Sequence, residues 1–173
     1  MTKKGSSIFS LFILVNVIFI SSGYFTIQSF AAGQSGTFTG SWVADGVRDS
    51  LSFGENRQAS LFKFTGHVNL KDTVGGKKDF WSECIGLADS KTGSIARCVW
   101  RSLDDDEVYI TLKGEKFAQG SKVTGEIIGG TGAAEGISGT LQFEWSSMSF
   151  QTHNNITTVG GYAKNLSGSF QLP

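Results

Sequence analysis

Residues Val123 to Trp145 read VTGEIIGGTGAAEGISGTLQFEW: a strand, a glycine-dense corner and a second alternating strand. Glycine supplies positive φ angles and leaves room where backbones approach, so Gly129, Gly130, Gly132, Gly136 and Gly139 read as bending points of a tightly curved sheet. In the second strand Leu141, Phe143 and Trp145 alternate with Thr140, Gln142 and Glu144, which gives one apolar and one polar face. A strand of that kind forms the wall of a small barrel.

Outward from this corner the same period of two recurs. On one side Val108, Ile110 and Leu112 oppose Tyr109, Thr111 and Lys113. Further upstream Phe62, Phe64, Gly66, Val68 and Leu70 oppose Lys63, Thr65, His67 and Asn69. Alternation predicts strands over 37–44, 51–53, 60–70, 80–88, 94–103, 107–115, 122–128, 139–148 and 161–172. The short second candidate, bracketed by Gly46 and the polar run 54–58, also reads as a loop over one end. The expectation is therefore all-β, an antiparallel closed barrel of eight strands, or nine if the short segment pairs. Turn residues fall between the strands at Gly75-Gly76, Lys91-Thr92-Gly93, Asp104-Asp105-Asp106, Gln119-Gly120 and His153-Asn154-Asn155. The one proline is the last residue, Pro173, so these turns rely on glycine, asparagine, aspartate and serine.

The first thirty-one residues have a different character. Lys3 and Lys4 precede the apolar run Ile8 to Ile20, and a polar stretch ends in Ser29-Phe30-Ala31. This is the pattern of a secretory signal peptide cut after Ala31, with an uncleaved anchor as the alternative. The apolar run is shorter than the roughly twenty residues of a membrane span. Residues 32–173 then form one domain, in which thirteen basic side chains face fifteen acidic ones. That balance provides no concentrated basic patch, so neither nucleic acid nor an anionic membrane is an expected partner.

Cys84 and Cys98, the only cysteines, flank a turn at 90–93. In an exported chain they are expected to form a disulfide, with two free thiols as the alternative. Placing them directly opposite sets Trp81 against Arg101, Glu83 against Val99 and Ile85 against Arg97. One face of this hairpin then carries Trp81, Glu83, Ile85, Leu87, Ile95, Arg97, Val99 and Arg101. The other carries Ser82, Cys84, Gly86, Ala88, Ala96, Cys98 and Trp100. If the larger apolar side chains point inward, Glu83 enters the barrel with Arg97 and Arg101 at its diagonals, where it could orient a polar group of a ligand. Otherwise these are exposed cross-strand ion pairs, which contribute little. Glu83, Arg97, Arg101, Trp81 and Tyr109 are the ligand-binding candidates.

No catalytic or metal-binding set emerges. The acidic run Asp104 to Glu107 lacks the spacing of a calcium loop and reads as a solvated turn. Gly129-Gly130-Thr131-Gly132 lacks the lysine and helix of a phosphate loop, and neither His67 nor His153 belongs to a nucleophile motif. No cofactor is expected. Asn155-Ile156-Thr157 and Asn165-Leu166-Ser167 are glycan acceptors only in a eukaryotic secretory pathway.

The acidic turn Asp104 to Asp106, the strand VYITLKGE and the run KVTGEIIGGTGAAEGISGTLQF resemble the late strands of the allene oxide cyclase and dirigent barrel superfamily. The resemblance runs from about Asp104 to Trp145. It implies an eight-stranded antiparallel barrel with an apolar cavity for small hydrophobic molecules, often a homo-oligomer. The catalytic residues of the plant enzymes have no counterparts here. The functional expectation is a secreted or periplasmic barrel that binds a small, mostly apolar ligand without catalysis. The alternatives are an isomerase- or cyclase-like enzyme acting by confinement, and a structural or interaction protein whose barrel is filled.

Overall fold

The computed structural model describes residues 33–73, 76–115 and 121–173, with the side chains at 149 and 150 excepted. The signal-peptide segment, Gly75 and the turn at Gln119-Gly120 lie outside the described residues.

Eight antiparallel strands run in chain order: β1 (Ser35–Ser52), β2 (Gln58–Asp72), β3 (Lys77–Asp89), β4 (Gly93–Ser102), β5 (Glu107–Gly114), β6 (Ser121–Gly130), β7 (Ser138–His153) and β8 (Ile156–Gln171). Each pairs with the next, and β8 pairs back onto β1 from Ser35↔Gln171 to Asp49↔Ile156, so the sheet closes into a barrel. Closure leaves no edge strand. The nine sequence candidates reduce to eight because the first two are parts of β1, which runs unbroken through Gly46.

The corner of the opening motif divides its work among its glycines. Gly129, Gly132 and Gly136 have positive φ, whereas Gly130 and Gly139 do not and instead lie in strands where other backbone atoms come close. At Gly129 (φ 150°) the pairing of β5 with β6 slips by one residue, so that Ile128 bulges outward and Ile127 stays buried. Gly132 (φ 58°) opens a single 3-10 turn, Gly132–Ala134, that crosses one end of the barrel. The Asp106 carboxylate ties it down by accepting from Ala133 N at 2.9 Å, while Thr131 N donates to Glu107 O and Glu107 N to Thr131 Oγ1. Asp106 therefore anchors a lid rather than facing solvent as the sequence suggested.

Inside, side chains of alternate parity meet. Trp42 of β1 is the hub, with ring centroids 5.4 Å from Phe143, 5.2 Å from Trp145 and 6.3 Å from Trp100. Its Nε1 donates to Ser82 Oγ across the bore at 2.9 Å. Val68, Ile110, Leu141, Val159 and Leu166 complete a dry centre. The inward parities expected for β2, β5 and β7 are those observed.

Candidate functional site

β3 and β4 pair in the expected register: Cys84↔Cys98, Trp81↔Arg101, Glu83↔Val99 and Ile85↔Arg97. The cysteines are joined by a disulfide with Cα atoms 4.1 Å apart, and both side chains are buried inside the barrel. This settles the open orientation of the hairpin. Ser82, Cys84, Ala88, Ala96, Cys98 and Trp100 point inward, and the face holding Glu83 points out. The reason is volume. Trp42, Phe64, Phe143 and Trp145 from other walls fill the bore, so β3 and β4 contribute mainly small groups there.

All five ligand-binding candidates therefore sit on the outer wall. Glu83, Arg97 and Tyr109 border one shallow groove with Lys63, Ile85, Val99 and Ile128. Trp81 packs edge-on against His67 at 4.7 Å. Arg101 and Tyr109 meet at a residue outside the candidate set, Glu107: Arg101 donates to Oε1 through two nitrogens, at 2.6 and 3.1 Å, and Tyr109 Oη donates to Oε2 at 2.9 Å. The bond from Arg101, then that from Tyr109, holds the Glu107 carboxyl below its ordinary range. Accepting from Tyr109 raises the phenol pKa in turn. These charges do not enter the interior and cannot act on a molecule confined there. Among the described residues the buried polar side chains are Ser60, Ser82, Ser146 and Thr157, none of them ionisable.

One charged residue that the sequence reading overlooked shares the inward parity of β1. Arg48 follows Phe38, Trp42 and Ala44 on the same face, is half-buried, and has its pKa lowered by desolvation. The signal was present in the alternation, but only for a strand that continues past Ala44.

The aromatic centre divides the interior into two end cavities. At the end opposite the lid, a space of about 60 Å³ lies among Phe62, Phe64, Leu112 and Trp145, with Ser94, Ser121 and Ser147 on its wall. It is water-sized. At the lidded end a cavity of about 360 Å³ is floored by Phe38, Phe80, Trp100, Val108, Ile127 and Phe170 and roofed by Ala133, Ala134 and Ile137. Its rim bears Asp72, Asp79, Asp104 and Asp106 against Lys77 and Lys78. Asp72 is tied to its own loop, accepting from Gly76 N at 2.7 Å. Trp100, only 2% exposed, has a buried indole Nε1 that makes no hydrogen bond. The volume lies within the roughly 300–1,000 Å³ of small-molecule sites, and an apolar floor meets a polar mouth that also includes Gln34 and Ser102.

The outer wall has a separate feature. Val47, Leu61, Ile85, Leu87 and Ile95 are each at least half exposed, and they line a broad groove edged by Asp49, Lys63 and Arg97.

No protein-family model, curated protein or solved structure matches the chain. Fold and geometry thus define the class: a closed antiparallel β-barrel module with a buried aromatic cluster.

Proposed function

We propose that this chain is an exported barrel of the allene oxide cyclase and dirigent type that holds a small, mostly apolar molecule in the cavity at its lidded end, without chemistry of its own. The observation that carries the reading is that cavity, about 360 Å³ and floored by aromatic and aliphatic side chains above a filled centre. Export to the periplasm or the cell exterior is supported by the buried Cys84–Cys98 disulfide, which persists in oxidising compartments. No helix among the described residues is long and apolar enough to cross a membrane.

The test uses phenylnaphthylamine, an uncharged fluorophore that brightens in apolar sites. Saturable binding in the micromolar range is expected. Leu70→Trp, which fills the lidded-end cavity, should abolish it, and Val123→Trp at the far end should not. Absence of saturable binding, or binding indifferent to Leu70→Trp in a folded variant, overturns the reading.

A second reading is favoured by the outer wall. The apolar groove from Val47 to Ile95 supports a contact with another copy of the chain, because Asp49 on one side and Lys63 and Arg97 on the other can pair across a symmetric interface. Light scattering at micromolar concentration should then give a multiple of the monomer mass, reduced to the monomer by Ile85→Lys. A wild-type monomer excludes it.

A further inference from the structure

The lid is fastened to the rest of the barrel at few points. Before it, Thr131 N donates to Glu107 O at 2.9 Å and Glu107 N to Thr131 Oγ1 at 3.1 Å. After it, β7 pairs with β8 from Ser138 onward. Between those anchors the backbone bonds are local: Ala134 N donates to Thr131 O, Glu135 N to Gly132 O and Ile137 N to Ala134 O. Among the described residues, the one hydrogen bond that ties 132–137 to a distant part of the chain runs from Ala133 N to the Asp106 carboxylate, at 2.9 Å. Two glycines in the left-handed region bracket the segment, Gly132 at φ 58° and Gly136 at φ 74°. Glycine changes backbone conformation at little steric cost, and hinges are often built from such small residues.

The segment also covers the floor. With the lid in place Phe38, Trp100, Val108 and Ile127 are at most 6% exposed, and Ala134 of the lid belongs to the same buried cluster. A guest gains full contact with that floor only when the covering segment shifts. The residue that restrains it stands on a firm post. In the turn between β4 and β5, Ser102 Oγ accepts from Asp104 N at 3.2 Å and Asp106 N at 3.1 Å, and Ser102 N donates to Asp106 O at 2.9 Å. Ser102, Leu103 and Asp104 of this turn line the same cavity as Ala133 and Ala134, so losing the bond frees one part of the mouth from another.

We propose that the hydrogen bond from Ala133 N to Asp106 gates the lidded cavity: while it is made the lid stays shut, and its transient loss lets the segment swing on Gly132 and Gly136 so that a guest enters or leaves. The proposal rests on the lidded-end reading of the site and adds its regulation. Asp106 is here a positioning residue, because its carboxylate acts through the lid and not on the guest.

The experiment has two arms, both on the oxidised barrel. The first needs no guest and follows amide hydrogen exchange. Loss of one hydrogen bond predicts that Asp106→Ala speeds exchange at Ala134 and Ile137 roughly tenfold, while the strand amides of Ile110 and Leu141 keep their wild-type rates. Asp106→Asn keeps an acceptor oxygen in place and should restore slow exchange. Asp105→Asn removes the same charge one residue away and should leave the rates unchanged. The second arm is stopped-flow mixing with phenylnaphthylamine. Association and dissociation should both quicken roughly tenfold in Asp106→Ala and stay near wild type in the two asparagine variants. Lid amides or dye rates indifferent to Asp106→Ala overturn the proposal. Either asparagine variant behaving like Asp106→Ala overturns it too, by showing that charge and not the bond sets the rate. Faster exchange throughout the strands does the same, since Asp106 would then support the whole barrel. Failure of phenylnaphthylamine to bind removes the lidded-end site itself, and the gate with it, so the two failures are distinguishable.

Discussion

Trp42 and Ser82, forty residues apart in the chain, meet inside the barrel through a buried hydrogen bond of 2.9 Å from the indole Nε1 to the hydroxyl oxygen. The bond spans two strands that are not neighbours, β1 and β3, and so fixes the hub of the aromatic cluster against the far side of the hairpin. Ser82→Ala strands the indole donor in a dry environment and is expected to cost about 1–3 kcal/mol in urea unfolding. Trp42→Phe costs more, since it also removes ring contacts. In the double variant Ser82→Ala should add little beyond Trp42→Phe alone. Strict additivity would mean that the bond contributes nothing.

The disulfide joins positions fourteen apart on adjacent strands and is covered on the inside by the aromatic cluster. Replacing both cysteines by alanine should lower stability by about 3 kcal/mol, on the loop-closure estimate. Because the side chains of Cys84 and Cys98 are only 2% and 3% exposed, reductant should reach them slowly in the folded protein and quickly in denaturant. Mass spectrometry of alkylated samples follows this directly. Rapid reduction under native conditions would contradict the inward orientation.

Asp89, at the end of β3, accepts from Arg57 at 2.8 and 3.1 Å and from Lys91 N at 2.8 Å. The Arg57 bond, then the Lys91 amide, lowers its carboxyl pKa to about 2. The folded value lies below the ordinary one of about 3.9, so unfolding takes up protons and the stabilisation is complete above pH about 4. It disappears as the pH falls from there through 2. Asp89→Asn should therefore be less stable than wild type at neutral pH, and the difference should shrink between pH 4 and pH 2. A constant difference across that range would exclude the ionic contribution.

The two described tyrosines shift in opposite directions. Tyr109 is raised by donating to Glu107, while Tyr162 is lowered by its hydrogen bond with Ser146 and by the nearby Lys164 charge. Ultraviolet titration of protein lacking the first thirty-one residues should give two steps, Tyr162 first. Glu107→Gln should bring the later step down toward 10 and leave the earlier one unchanged. A single unresolved step, or a later step indifferent to the glutamine, would break the assignment.

What could be read from the sequence was whatever depends on near neighbours. Parity along β2, β5 and β7 separated inside from outside because each strand has one face of large apolar side chains, and placing Cys84 directly opposite Cys98 around the turn at 90–93 set the register of the hairpin. The inward face of that hairpin was not legible. It depends on what the distant Trp42, Phe64, Phe143 and Trp145 leave unfilled, and local pattern alone would turn Ile85, Leu87 and Ile95 inward. The unity of β1 was hidden for a similar reason. Gly46 looks like a break, but the Lys63 carbonyl of β2 passes where its Cβ would stand, so the residue is a close approach within one continuous strand. Ending the strand at Ala44 also concealed Arg48. Of the candidate site, an apolar cavity was implied by the family resemblance, whereas the five named candidates belong to the outside, and the place of Trp100 in the interior emerges only once the hairpin is turned.

The aromatic stack centred on Trp42 makes the cylinder a pair of blind cups rather than a conduit. If the proposed guest enters at the lidded end, the filled centre leaves it no far exit, and the Gly132–Ala134 turn, which one aspartate side chain latches in place, stands beside its way out.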